Sequence, residues 1–244
     1  MEPVTRHISF KNNKEADKQR AKLLKLVDKV CTDNNLRYFG FGDLLVGAVH
    51  YNDFIPNGLE SKTQIGLLRD DYDKLCPLLI ENADKYDIQI IDRYKSGAKA
   101  LSLTIATDVV IEQEDVTITD LAQVEICAFD YLPDSEAEQK IYLRKVASLL
   151  DKYQKMVNLT PPATDVPMSL RKVFALFWGT LLYGTRNPKK TYRKLFKVVR
   201  QYKDTNRITC LIPRRSAEVK YSDVFPTKRI KVNDAEINIP RVFG

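Results

Sequence analysis

The densest chemistry in this sequence is basic. Between Arg186 and Arg207 nine Lys and Arg residues stand against a single acid, Asp204. The stretch carries about +8 of a chain total of +7, so the remainder is close to neutral. Cations at Lys189, Lys190, Arg193, Lys194, Lys197 and Arg200 suit phosphate or other anions, and Tyr192, Phe196 and Tyr202 between them could stack on flat rings. At helical spacing, however, Tyr192, Leu195, Phe196, Val199 and Tyr202 share one face. The aromatics are therefore expected to pack inward and leave a solvated basic face. No nucleic-acid module accompanies the stretch, and nucleic acid is not expected as a partner.

Other reactive residue types are sparse. The two histidines, His7 and His50, have no neighbouring Ser or Cys to suggest a nucleophile and base. The four cysteines, Cys31, Cys76, Cys127 and Cys210, are spread singly, which points to free thiols in a reducing compartment. Glu112, Glu114 and Asp115 fit a strand-end turn, and Asp70, Asp71 and Asp73 fit the capped start of a helix better than a metal cluster.

These residues need elements to position them. Residues 14–34 carry Ala16, Leu23, Leu24, Val27, Val30 and Cys31 at helical spacing. Leu36–Phe41 reads as a strand, Leu44–Val49 as a short helix, Thr63–Leu68 as a core strand, and Asp70 to about Asn82 as a helix. Asp87–Ile91, Ala100–Ile111 and Leu121–Phe129 are strand-rich, and Ser135 opens a long helix to about Lys155. The Pro-rich break 160–167 divides this core, residues 1–159, from residues 160–244. The second part holds MSLRKVFALFWGTLLYG, the basic helix, and a hairpin turning at Asn233-Asp234. The expected class is α+β, a mixed sheet flanked by helices with a C-terminal helical part and a final hairpin. The opening MEPVTRHISFKNNKEADKQR is polar, with no secretory pattern, and no apolar run approaches the roughly 20 residues of a membrane span. A cytoplasmic protein is expected.

The segment YFGFGDLLVGAVHYNDFIPNGLESKTQIGLLRDDY, Tyr38 to Tyr72, resembles the LicD family of phosphotransferases that decorate surface glycans. Gly42, Gly47, Ala48, Val49, Phe54, Ile55, Pro56, Ile65, Gly66, Arg69, Asp71 and Tyr72 match its pattern, and VEICAFDYLPD (Val124–Asp134) resembles a second motif. The resemblance implies a nucleotidyltransferase-like sheet, with a phosphate-gripping turn at Gly42-Asp43-Leu44 and a metal-binding Asp-x-Asp pair on the next strand. Here that pair falls on Lys62 and Gln64, and the third carboxylate becomes Glu125. Residues i and i+2 on a strand share a face, so two aspartates there could share a cation; a lysine and an amide do not replace them.

On that resemblance the chain is expected to be a catalytically degenerate subunit of surface-polysaccharide or teichoic-acid decoration, paired in a hetero-oligomer with an active LicD relative. No cofactor is implied for a degenerate site. If it is active, Mg or Mn would be held by Glu60 and Glu125, with Asp53 or Asp43 contributing, for transfer from a CDP-linked donor. Gly42, Asp43, Gly47, His50 and Glu60 would contact substrate. A further expectation is a lipid- or polyanion-binding adaptor that touches the inner face of the membrane through its basic helix. The family pattern continues past Pro240, so part of the acceptor region is expected to be absent.

Overall fold

A computed structural model describes residues 14–56, 63–91, 101–113, 116–157, 187–211 and 218–243. The chain divides into two compact units. One comprises residues 1–91, 103–127 and 222–244, the other 92–102 and 128–221.

The first unit opens with α1, Lys14–Asp33, whose expected stripe of Ala16, Leu23, Leu24, Val27, Val30 and Cys31 is buried. A reversal at Asn35, with φ of 53°, feeds β1, Tyr38–Phe41. Gly42 turns the chain into α2, Asp43–Tyr51. β2, Thr63–Leu68, has the expected bounds and is buried at all six positions, as a central strand covered on both faces must be. It pairs antiparallel with β1, placing Tyr38 opposite Leu67 and Phe41 opposite Gln64.

α3, Arg69–Glu81, and the short α4, Ala83–Tyr86, lead to β3, Gln89–Ile91. Asp70 and Asp71 lie in the first turn of α3, where their charge favours the positive end. The expectation that these acids cap the helix is corrected. Leu68 occupies the cap position, and the buried Asp71 instead accepts from the Arg37 backbone N–H at 3.4 Å and its Nε at 3.2 Å. β4, Ser102–Gln113, and β5, Val116–Leu132, complete the strand order β1-β2-β5-β4-β3.

The last hairpin also belongs to this unit. It comprises β8, Lys228–Val232, and β9, Ala235–Ile239, with the turn at Asn233-Asp234 as expected. It packs on α1, β1 and α2. The Asn233 N–H donates to the Asn52 carbonyl at 3.0 Å, Lys25 pairs with Asp234 at 2.6 Å, and Arg229 clasps Asp28. A short helix, α7, Tyr221–Val224, precedes the hairpin.

In the second unit the end of β5 pairs with β6, Arg207–Cys210, which pairs with β7, Glu218–Lys220. Two helices complete it: α5, Glu136–Val157, and α6, Pro188–Val199. Asn187 caps α6, its side chain accepting from the Lys189 N–H, with Pro188 at the first helical position. Leu195, Val198 and Val199 of α6 pack with Tyr142, Val146 and Leu150 of α5 in one apolar cluster. The apolar run 168–184 falls outside the described residues. Among the described residues no helix is long and apolar enough to cross a membrane.

Candidate functional site

Gly42 stands between β1 and α2 with φ of 61° and ψ of −136°, a conformation that residues with a Cβ rarely adopt. Space gives a second reason for glycine: a methyl group there would lie 2.8 Å from Gln64 Oε1. Gln64 reaches this point because β2 runs beside β1 in the register that sets it against Phe41. The other end of the same amide points to the neighbouring strand. Gln64 Nε2 donates to Glu125 Oε2 at 2.8 Å, and both side chains are buried, at 5% and 9% exposure. One amide thus spans the gap between the turn and β5.

That arrangement decides what the site can hold. A divalent cation needs several oxygen donors, at about 2.0–2.6 Å for Mg or Ca. Glu125 is one carboxylate, and it already accepts an N–H from Gln64. The amide turns its positive end, not its oxygen, toward the place where a cation would sit. Among the described residues no group of three His, Cys, Asp or Glu side chains could hold a metal. The described donor set does not fit a divalent cation. Lys62 and Glu60, expected beside it, lie outside the described residues.

The other expected contacts are placed as follows. Asp43 is exposed in the first turn of α2, and His50 is exposed in its last turn, where a basic residue complements the helix dipole. Gly47 has a packing reason: a Cβ would fall 2.6 Å from the Asp53 carbonyl and 3.2 Å from Ile55 N. Asp53 is a local tie, its Oδ1 accepting from Phe54 N at 2.8 Å and from Asn233 Nδ2 at 3.1 Å. All four cysteines are free and buried, and burial pushes the Cys31 thiol up to about 12.

The basic stretch forms α6 as the spacing requires. Lys189, Lys190, Arg193, Lys194 and Lys197 are exposed, Arg200 is partly so, and the apolar face is against α5. Sequence reasoning missed that α5 supplies a second wall. Lys145, Ser148 and Leu149 face Arg193, Lys194, Phe196, Lys197, Val198, Arg200 and Gln201 across a groove of about 840 Å³. Lys145 carried no signal of this, since nothing local ties it to a helix some fifty residues later.

No family model matches the chain, and no curated protein matches it. Solved structures with some likeness include one described as a GTP pyrophosphokinase family protein from Streptococcus pneumoniae. It is 13% identical, with a TM-score of 0.25, over 74% of this chain and 93% of that one. Another is the small alarmone synthetase 1 of Bacillus subtilis bound to AMPCPP, 9% identical, with a TM-score of 0.24, over 75% and 92%. At this level the likeness carries no activity over to the present chain.

The resemblance to LicD is corrected: no family model and no curated protein supports it. The expectations of phosphocholine-type transfer, a CDP-linked donor and surface-polysaccharide decoration fall with it, and the LicD partner rested on nothing else. The matched residues explain the misreading. Ala48, Phe54, Ile65, Arg69, Asp71 and Tyr72 are all buried, and Gly42 and Gly47 answer to local geometry. They report a strand-turn-helix-strand frame rather than a chemistry. The reading of a lipid-binding adaptor is corrected too. An amphipathic helix lies in a membrane by its apolar face, and that face of α6 is spent on α5.

Proposed function

We propose that this chain is a nucleotidyltransferase-like binding protein that does not carry out metal-dependent phosphoryl or nucleotidyl transfer. The observation that carries the reading is the buried Gln64–Glu125 hydrogen bond of 2.8 Å. The frame is supported by the order β1, Gly42 turn, α2, β2, with β5 next to β2. In a transferase of that plan, carboxylates on neighbouring strands bring cations to a phosphate under attack. Here Glu125 is engaged by an amide, and the anionic Asp43 opens the helix where backbone N–H groups would otherwise meet phosphate.

The test is a transfer assay on the purified chain with ATP, GTP, CTP and UTP, in Mg or Mn, followed by phosphorus NMR. Glu125→Gln, which keeps the shape and removes the charge, is run beside the wild type. No transfer by either protein is expected. Turnover in the wild type that Glu125→Gln abolishes would overturn the reading.

A further inference from the structure

We propose that the groove between α5 and α6 binds a soluble organic polyphosphate of nucleotide size. The inference goes beyond the reading of the strand site and does not depend on it.

Among the described lining residues five are cations, Lys145 on one wall and Arg193, Lys194, Lys197 and Arg200 on and just past the other helix, and none is a carboxylate. Among the described residues Lys145, Arg193, Lys194 and Lys197 form no ion pair, although acids and bases elsewhere do so freely. Like charges gathered together repel one another, and a multivalent anion relieves that repulsion.

The rest of the lining sets the ligand's other half. Leu149, Phe196 and Val198 add apolar surface to the lining beside these cations. Phe196 is held in a ladder: Tyr192 stacks near it at 5.9 Å, and the Arg200 guanidinium lies 3.3 Å from its ring centre. The ladder fixes a flat cation on the groove wall, and a guanidinium held flat on a ring offers its plane to a second ring as well as its N–H groups to phosphate. A volume of about 840 Å³ lies within the usual range for small-molecule sites. A bilayer would favour a flat or protruding basic surface with apolar side chains able to insert. Here the basic surface is concave and the helix's apolar face is occupied.

The experiment is calorimetric titration of the full chain with ATP, GTP and inorganic pyrophosphate at fixed ionic strength and without divalent cation. Wild type, Lys194→Glu/Lys197→Glu, Phe196→Leu, Lys190→Glu and Glu125→Gln are compared, with circular dichroism confirming that each is folded. Nucleotide binding should weaken about tenfold or more in the double charge reversal and stay within about threefold in Lys190→Glu, which lies outside the groove. Phe196→Leu should weaken the nucleotides and leave pyrophosphate unchanged. Glu125→Gln should bind as wild type does, which separates this site from the strand site. Parallel titrations use anionic phosphatidylserine vesicles and a short single-stranded RNA. Absence of nucleotide binding, binding unaffected by the double reversal, or a preference for vesicles or RNA over every nucleotide would overturn the proposal.

Discussion

Gln64 Nε2 and Glu125 Oε2 are 2.8 Å apart across adjacent buried strands, although 61 residues separate them in sequence. The pair is closed: the amide supplies the donor that a buried carboxylate needs, so the strands can lie together without a cation. Gln64→Glu replaces that donor with a second carboxylate at nearly constant shape. One of the two carboxyls must then titrate above its ordinary value, because both cannot ionise side by side. A carboxyl raised in the fold destabilises as pH rises past its unfolded value. The variant should therefore lose about 1–3 kcal/mol at neutral pH and recover much of it near pH 5. Thermal melts at the two values check this, and Mn should raise the melting temperature of the variant but not of the wild type.

Asp28 gives the acid side of the stability profile. Burial pushes its carboxyl up, but hydrogen bonds from Arg229 and Tyr38 more than offset this and leave it below the ordinary value. A carboxylate lowered in the fold adds stability above its unfolded value, near 4, and loses it as pH falls through the folded value. Asp28→Asn should thus flatten the acid limb. Urea midpoints near pH 7 and near pH 3 should differ less in the variant than in the wild type, and equal differences would remove Asp28 from the account.

Gly47→Ala tests the close approach behind α2. The new methyl would meet the Asp53 carbonyl at 2.6 Å, and the nearest atoms are all backbone of residues 53–55, with no side chain to swing away. A loss of roughly 1–3 kcal/mol is expected from urea denaturation, with no change in any nucleotide affinity.

Leu195 and Lys190 separate the two faces of α6. Leu195 is 2% exposed in the cluster with α5, and Leu195→Ala should cost about 2–5 kcal/mol. Lys190→Ala, on the exposed face, should stay within about 0.5 kcal/mol. Similar losses from both would mean that the helix is packed by the wrong side.

Local patterns made much of the fold legible. β2 has the bounds its apolar alternation indicates, the hairpin turns at Asn233-Asp234, and α1 buries the stripe its spacing marks. β6 escaped notice because its four residues, Arg207–Cys210, sit at the end of a basic run, and only pairing with the end of β5 makes them a strand. The site was legible by position and not by content. Gly42, Gln64 and Glu125 could be singled out, but no sequence signal says that Gln64 reaches both of the others. The family resemblance failed for a related reason: residues that pack a frame recur wherever the frame does, and the residues that would have settled the chemistry differ here.

The clasp of Asp28 by Arg229 spans 201 residues. During synthesis α1 leaves the ribosome long before the hairpin that covers it. At about 5–20 residues per second the wait is roughly 10–40 s. For that interval the apolar faces of α1 and β1 that β9 finally shields have no native cover. Folding of this unit is thus timed by its final hairpin, and a nascent chain stalled before residue 228 should be the form that chaperones hold and proteases find.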